Sequence, residues 1–434
     1  MIDPTTITHQ DLLREHPERA VWRDRWSDYR LAYEGGDRFL AAAGESPYVS
    51  RNDTNATSAI TFGQQPGFRR LQRRFLWQNE GEPDVNYYNR WDRAAYLNYA
   101  GSVVNYFDHF LFSQPPQIRP AEGQEQPDWV SPFLRNANGS GRSFVDFVKD
   151  VFLDVLVCKH AGWMIGQATS VGRVEEGDDS VELTPFSAEE ILDWQKSPCD
   201  ELEWVVVRKQ KLRRDFPAQR RRVDTVTYLD AEMWATWEIE QGENGKTLSA
   251  NLIATDQHNL GVVPFVWFAV PAGLWVMDKI FMPAMAIFNA DNALKWMRHV
   301  SCFPQPFLRT RETDSGKGQR IWGESYVMEL RAAKDGAEEA GWLTADVGPI
   351  KELADQLRQD RDELYRTLHM MSLAVDSQAT TAIARSGASK IEDRRATEIL
   401  LVGYGQFVAK AMRDTMTLLS RVIGDETTWT VDGF

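Results

Sequence analysis

Three groups of residues in this sequence have types and spacings that could do chemistry. The first is the segment Val375–Ala388, VDSQATTAIARSGA, which offers Ser377, Gln378, Thr380, Thr381 and Ser386 beside two charges, Asp376 and Arg385. It is a stretch of small hydrogen-bonding groups with almost no net charge. The second is a basic run, Arg208, Lys209, Lys211, Arg213 and Arg214, continued by Arg220–Arg222. Basic residues crowded into one hairpin of an acidic chain suit an electrostatic partner surface, and equally a solvated loop. The third is His299 and Cys302, one helical turn apart, but two ligands alone do not make a metal site.

The usual signatures of catalysis are missing. There is no GxxxxGK phosphate loop, no GxSxG, no HExxH and no His/Cys cluster at metal spacing. The seven histidines are scattered, and no carboxylate pair stands out among the acids. The sequence therefore reads as an assembly or conduit protein, not an enzyme, with no cofactor and no metal. The three cysteines, Cys158, Cys199 and Cys302, are far apart and read as reduced thiols. A net charge of −14 argues against binding nucleic acid by phosphate neutralisation, yet fits a protein past which DNA must slide.

With 434 residues the chain has room for two or three domains. No window of about 18 apolar residues predicts a membrane span. The N-terminus lacks the apolar core of a signal peptide, so synthesis and retention in the cytoplasm are expected. Sixteen tryptophans, unjoined by any repeat, suit broad packing surfaces between elements or subunits, or ordinary cores.

These groups must be positioned by elements that the periodicity outlines. Residues 8–42 read as helical, with a break at Gly35-Gly36. A loop at 46–66 precedes the cluster Arg69, Arg70, Arg73 and Arg74, read as a solvated helix face or a phosphate contact. Asn86–Phe112 carries apolar residues three or four apart and reads as one helix. Ser143–Lys159 reads as another, with Gly162 as a left-handed cap. Trp163–Ser170 and Ser180–Leu183 form a hairpin around the acidic turn 175–179. SAEEILDW, Ser187–Trp194, matches a helical capping box.

From Leu202 to Val270 the period is two. Strands near Glu203–Leu212, Val223–Leu229, Met233–Ile239, Thr247–Ile253 and Val262–Ala269 predict a meandering antiparallel sheet. A long helix follows at Met282–Cys302, with Pro283 in its first turn. The insert 307–346 contains strands at Phe307–Arg311 and Tyr326–Leu330, a helix or turn at Ala332–Ala340, and the start of a strand at Trp342–Leu343. Helices Pro349–Ala374 and Ser389–Ile423 flank the polar segment 375–388. That connection is longer than the roughly 2–8 residues usual between helices, so it is either functional or a floppy surface loop.

The order of these elements resembles that of the portal proteins of tailed double-stranded DNA bacteriophages and related gene-transfer particles. The resemblance covers most of the chain. It rests on YYNRWDRAAYLNYAGSVVNYFDHFLFSQPP, on SFVDFVKDVFLDVLVCKHAGWMIG, on HNLGVVPFVWF before the first long helix, on TAIARSGASKIEDRRA, and on the closing TWTVDGF. No one of these motifs is specific; their order is.

The resemblance implies an α+β subunit with a mixed wing at 1–281, stem helices at 282–302 and 348–374, and a small clip at 303–347. It places a tunnel loop at 375–388 and a C-terminal wing helix at 389–434, with the crown minimal or absent. It implies a ring of about twelve copies at a capsid vertex, through which DNA is packaged and ejected. Other implied partners are the terminase large subunit, major capsid and scaffolding proteins and a head–tail adaptor, with no membrane. The location would be the virion, after assembly in the host cytoplasm. Twelve copies would carry a charge of about −170, enough to keep a phosphate-rich duplex mobile. Ser377, Gln378, Thr380, Thr381 and Ser386 would face DNA without gripping it, while Arg385 touches DNA or pairs with Asp376. The alternatives are another virion structural or adaptor protein, or a phage DNA-processing enzyme.

Overall fold

The structure, a computed structural model, describes residues 4, 7–44, 74–78, 82, 84–166, 181–214, 220–241, 247–301, 305–310, 328–331, 339–343, 348–368 and 387–434. The chain is mixed α and β with open sheets. Helices α1 (His9–Leu12), α2 (Pro17–Glu34), α3 (Gly36–Ala43), α4 (Asp84–Asp92) and α5 (Tyr99–Leu111) come first. Strand β1 (Gln117–Pro120), helices α6 (Val130–Arg135) and α7 (Phe144–Cys158), then β2 (His160–Gly166), β3 (Glu182–Ser187) and β4 (Ile191–Lys196) follow. Next are β5 (Leu202–Arg214), β6 (Arg220–Asp230), β7 (Met233–Gln241), β8 (Thr247–Gln257) and β9 (Phe265–Ala269). The last part holds α8 (Val276–Ser301), β10 (Gln305–Thr310), β11 (Met328–Arg331), β12 (Glu339–Leu343), α9 (Gly348–Thr367), α10 (Gly387–Ile423) and β13 (Trp429–Asp432).

The chain divides into two compact units, one of Met1–Glu34, Asn98–Phe281 and Ala384–Phe434, the other of Gly35–Leu97 and Met282–Ile383. In the first unit β2 is the middle of an antiparallel sheet in the order β3-β2-β9. Helix α7 packs on β2 and α10 on β9. Trp163 on β2 is fully buried and donates its indole N–H to Thr415 Oγ1 on α10 at 3.1 Å. Phe152 of α7 stacks on Phe268 of β9, centroids 6.1 Å apart. Tyr404 of α10 packs on Phe107 and Phe152 and donates its hydroxyl to Leu274 O. Strand β13 returns the C-terminus to β1, pairing Trp429 with Pro120 and Asp432 with Gln117.

The five-stranded sheet of this unit is an antiparallel meander, β4-β5-β6-β7-β8. Its alternation buries both faces. Val205, Val207 and Leu229 belong to one apolar cluster with Phe186 and Phe265. Val206, Val226 and Ala235 belong to the other, which Leu12 of α1 joins.

The second unit is built on aromatic packing around Phe39 of α3. Its ring lies parallel to Phe75 at 4.7 Å and against Tyr96 at 3.9 Å, with Phe288 of α8 edge-on at 5.3 Å. Asn289 of α8 accepts from Trp77 N at 2.7 Å and donates to Phe75 O at 2.8 Å. Asn292 accepts from Ala95 N at 3.0 Å. Asp291 binds Lys295 at 2.7 Å and Arg361 of α9 at 3.6 Å, and Leu357, Leu364 and Leu368 are buried. β10 is flanked by β11, parallel, and β12, antiparallel.

Several expectations change. The helix expected over Asn86–Phe112 is two, because Asn98 caps a new start and accepts from Gly101 N at 2.7 Å. The left-handed residue after α7 is Lys159, φ 77°, and Gly162 lies inside β2 instead, where a Cβ would sit 2.3 Å from the Phe265 ring. SAEEILDW is the last residue of β3, a turn at 188–190 and the start of strand β4. The capping-box bonds exist, Ser187 N donating to Glu190 Oε2 at 3.0 Å, but they close a turn. The reason is burial: Ile191 and Trp194 belong to one core cluster and Leu192 to the other, which a strand satisfies. The strand expected at Val262–Ala269 is β9 and pairs with β2, outside the meander.

Helix α8 starts at Val276, so Pro283 lies within it. Burial of Val276, Met277 and Ile280 favours the extra turns over the one hydrogen bond that proline removes. Ala340, expected in a helix or turn, is in strand β12. The two arms of the break at Gly35-Gly36 agree with expectation, both glycines having φ 64°.

Candidate functional site

The two sets of residues singled out for partner contact fare differently. Ser377, Gln378, Thr380, Thr381, Arg385 and Ser386 lie outside the described residues, as do the acidic turn 175–179, loop 46–66 and Arg69, Arg70 and Arg73. Ala388, expected at the end of the polar segment, is already in α10. Cys302 also lies outside the described residues.

The basic run lies on β5 and β6. Its first two members both contact Glu190, Lys209 through its side chain and Arg208 through its backbone. Lys209 Nζ bonds Glu190 Oε2 at 2.7 Å and sits 4.7 Å from the centroid of Phe186. Arg208 N donates to Glu190 O at 2.7 Å. These two residues tie β5 to the turn before β4. The remaining members continue the ladder: Lys211 is paired with Val223, Leu212 with Arg222, Arg213 with Arg221 and Arg214 with Arg220. Among the described residues, β4 meets β5 as far as Val207, and β7 meets β6 from Val223. Beyond Val223 the ladder is thus a two-stranded ribbon among the described residues.

A second constellation was not legible in the sequence. His160 opens β2 and is almost wholly buried. Its ring stacks on Trp267 at 4.9 Å and meets Trp26 and Trp194 edge-on at 5.3 and 5.5 Å. His16 stacks on the same Trp194 at 3.8 Å. His160 Nε2 has no hydrogen-bond partner among the described residues. Burial, reinforced by Lys159, Lys196, His16 and Arg19, lowers its pKa to about 3. The imidazole is therefore held neutral, as an aromatic packing member. The strand-opening HAGW and the later VPFVWF were the only hints, since the rings come from elements distant in sequence.

Among the described residues no group of His, Cys, Asp and Glu is placed to hold a metal ion, and no helix is long and apolar enough to cross a membrane. An open groove of about 470 Å³ is edged by Arg298 of α8 and by Lys351, Asp355 and Arg358 of α9. Arg358 is already paired with Asp355 at 3.0 Å.

No family model matches the chain, and no curated protein matches it. Among solved structures it is similar to a chain in the neck of an empty gene transfer agent particle computed with C6 symmetry. The TM-score there is 0.44 at 12% identity, over 77% of this chain and 80% of that one. A chain in the virion of a native gene transfer agent particle gives 0.39 at 11% identity, over 77% and 79%. A chain in the neck of the native particle computed with C12 symmetry gives 0.38 at 11%, over 77% and 81%.

Proposed function

We propose that the chain is a portal-type subunit. About twelve copies form a ring at one vertex of a virion, conduct duplex DNA during packaging and ejection, and present a docking platform for a terminase large subunit and a head–tail adaptor. Capsid and scaffolding proteins are its other proposed partners, and it carries out no catalysis itself. The observation that carries the reading is the run α8, three-stranded β10–β12 module, α9 and then the 37-residue α10, its end tied down by β13.

The physics supports each part. Twenty-six residues of α8 extend about 39 Å, and twenty of α9 about 30 Å, long enough to form the wall of a channel. A module of three short strands buries little core alone, so contacts with neighbouring copies suit it as the clip. A net charge of −14 per copy keeps phosphates from adhering to the channel. In this reading 375–388, between α9 and α10, is the tunnel loop.

Negative-stain imaging and native mass measurement of the purified chain test the reading. A ring with a central hole, of about twelve copies, is expected. A compact monomer at every concentration overturns it, and ATP hydrolysis or DNA cleavage by the pure chain would replace it with an enzyme.

A further inference from the structure

Two surfaces of the second unit carry complementary chemistry. The first is the open groove between α8 and α9. Ile350 and Ala354 give it apolar surface, and around them three cations, Arg298, Lys351 and Arg358, stand against one carboxylate, Asp355. Arg298 and Lys351 are exposed, and Arg358 is paired with Asp355. The groove is therefore apolar with a positive rim.

The second surface is helix α4. Tyr87 and Arg90, three apart, form its buried side. At 3.6 residues per turn, Asp84, Val85, Tyr88 and Asp92 share another side, within an arc of about 100°. Val85 is 70% exposed and Tyr88 45%, and both carboxylates beside them are exposed. Asp84 also accepts from Gln78 Nε2 at 3.0 Å. A valine and a tyrosine in the open, flanked by carboxylates, are the counterpart of an apolar groove rimmed by cations. The two surfaces belong to different flanks of α8. Asn289 and Asn292 bond the segments before and after α4, at Phe75, Trp77 and Ala95. Asp291 bonds Arg361 of α9. A contact between unlike surfaces of two copies is heterologous, the kind that closes into rings.

We infer that α4 of one copy docks in the α8–α9 groove of a second copy, Val85 and Tyr88 on Ile350 and Ala354, with Asp84 and Asp92 toward Arg298 and Lys351. Duplex DNA is the competing occupant of a groove with a basic rim. Phosphates are penalised by the apolar surface of Ile350 and Ala354, and DNA in the groove would leave Val85 and Tyr88 uncovered. The inference rests on the ring reading and deepens it, by naming the surfaces through which neighbours hold one another.

The test is crosslinking between differently tagged full-length chains, one carrying V85C and the other A354C. Both also carry Cys199→Ser, because Cys199 is exposed. The two are co-expressed and treated with a short bis-maleimide linker. A covalent dimer bearing both tags is expected, absent when either added cysteine is left out. A ring without that dimer overturns the inference. Charge is tested by Lys351→Glu, which should raise the concentration of half-assembly at least about tenfold. Adding Asp92→Lys to the same chain should restore most of the loss, since opposite charges face each other again. Unchanged half-assembly in Lys351→Glu overturns the inference too; if that variant instead loses binding to a labelled duplex, the groove belongs to DNA. Should Lys351→Glu misfold, the crosslink decides, because Val85 is exposed and Ala354 half-buried, and both replacements are small. A ring without the crosslink defeats this contact alone, whereas a monomer at every concentration defeats the ring reading with it.

Discussion

His160 gives the sharpest quantitative test of the packing described above. Its ring is buried among Trp26, Trp194 and Trp267, and its pKa is lowered to about 3 from the usual 6.5. Unfolded, the ring takes a proton near 6.5; folded, it does not. Between those values the unfolded chain binds more protons, so stability rises with pH there. The contribution is fully present above 6.5 and is lost as pH falls toward 3. At about 1.4 kcal/mol per unit, going down to pH about 4.5 removes about 2.7 kcal/mol.

Substituting His160→Phe isolates this share. Phenylalanine keeps an aromatic ring in the stack and removes a buried nitrogen that lacks a partner among the described residues, so at neutral pH the variant should match or exceed the wild type. Urea unfolding followed by tryptophan fluorescence at pH about 7.5 and about 4.5 measures both proteins. The variant should lose about 2.7 kcal/mol less than the wild type on acidification. Lys159, Lys196, His16 and Arg19, the charged and titratable neighbours that disfavour the imidazolium, are present in both proteins and subtract out. Equal losses in the two would refute the claim that His160 is buried neutral.

Two further substitutions probe the two units separately. Gly162→Ala puts a Cβ 2.3 Å from the Phe265 ring and 2.7 Å from Val266 O. It should destabilise the chain by about 1–3 kcal/mol, read by calorimetry, whereas an unshifted transition would mean that β2 and β9 approach less closely. Asp291→Asn leaves Lys295 and Arg361 without their buried carboxylate. A loss of about 1–3 kcal/mol is expected in urea unfolding, and a change below about 0.5 kcal/mol would show that this pair of contacts does not hold α9 to α8.

The reach of sequence reading follows the range of the interactions. Helix α7 was legible because its N-cap Ser143 and its apolar spacing are local; so were four strands of the meander, β5 to β8, whose period of two needs only nearest strands. The long helices before and after the insert were likewise legible from spacing and from prolines, whereas the strand at Trp429 was expected only through the resemblance of the closing TWTVDGF. The basic residues were visible as a cluster, but their division was not. Lys209 is held by Glu190, whereas the five arginines follow in the β5–β6 ladder, a difference that only the register of the strands shows.

Tertiary structure alone decided the rest. SAEEILDW satisfies a helix cap and a turn equally well; two cores on opposite sides of β4 select the strand. The start of α8 is set by what buries Val276 and Met277, seven and six residues before the proline that marks it in the sequence. The His160 cluster joins α2, β2, β4 and β9. Local propensity is blind to such choices, since burial free energy comes from partners that the chain meets only once folded.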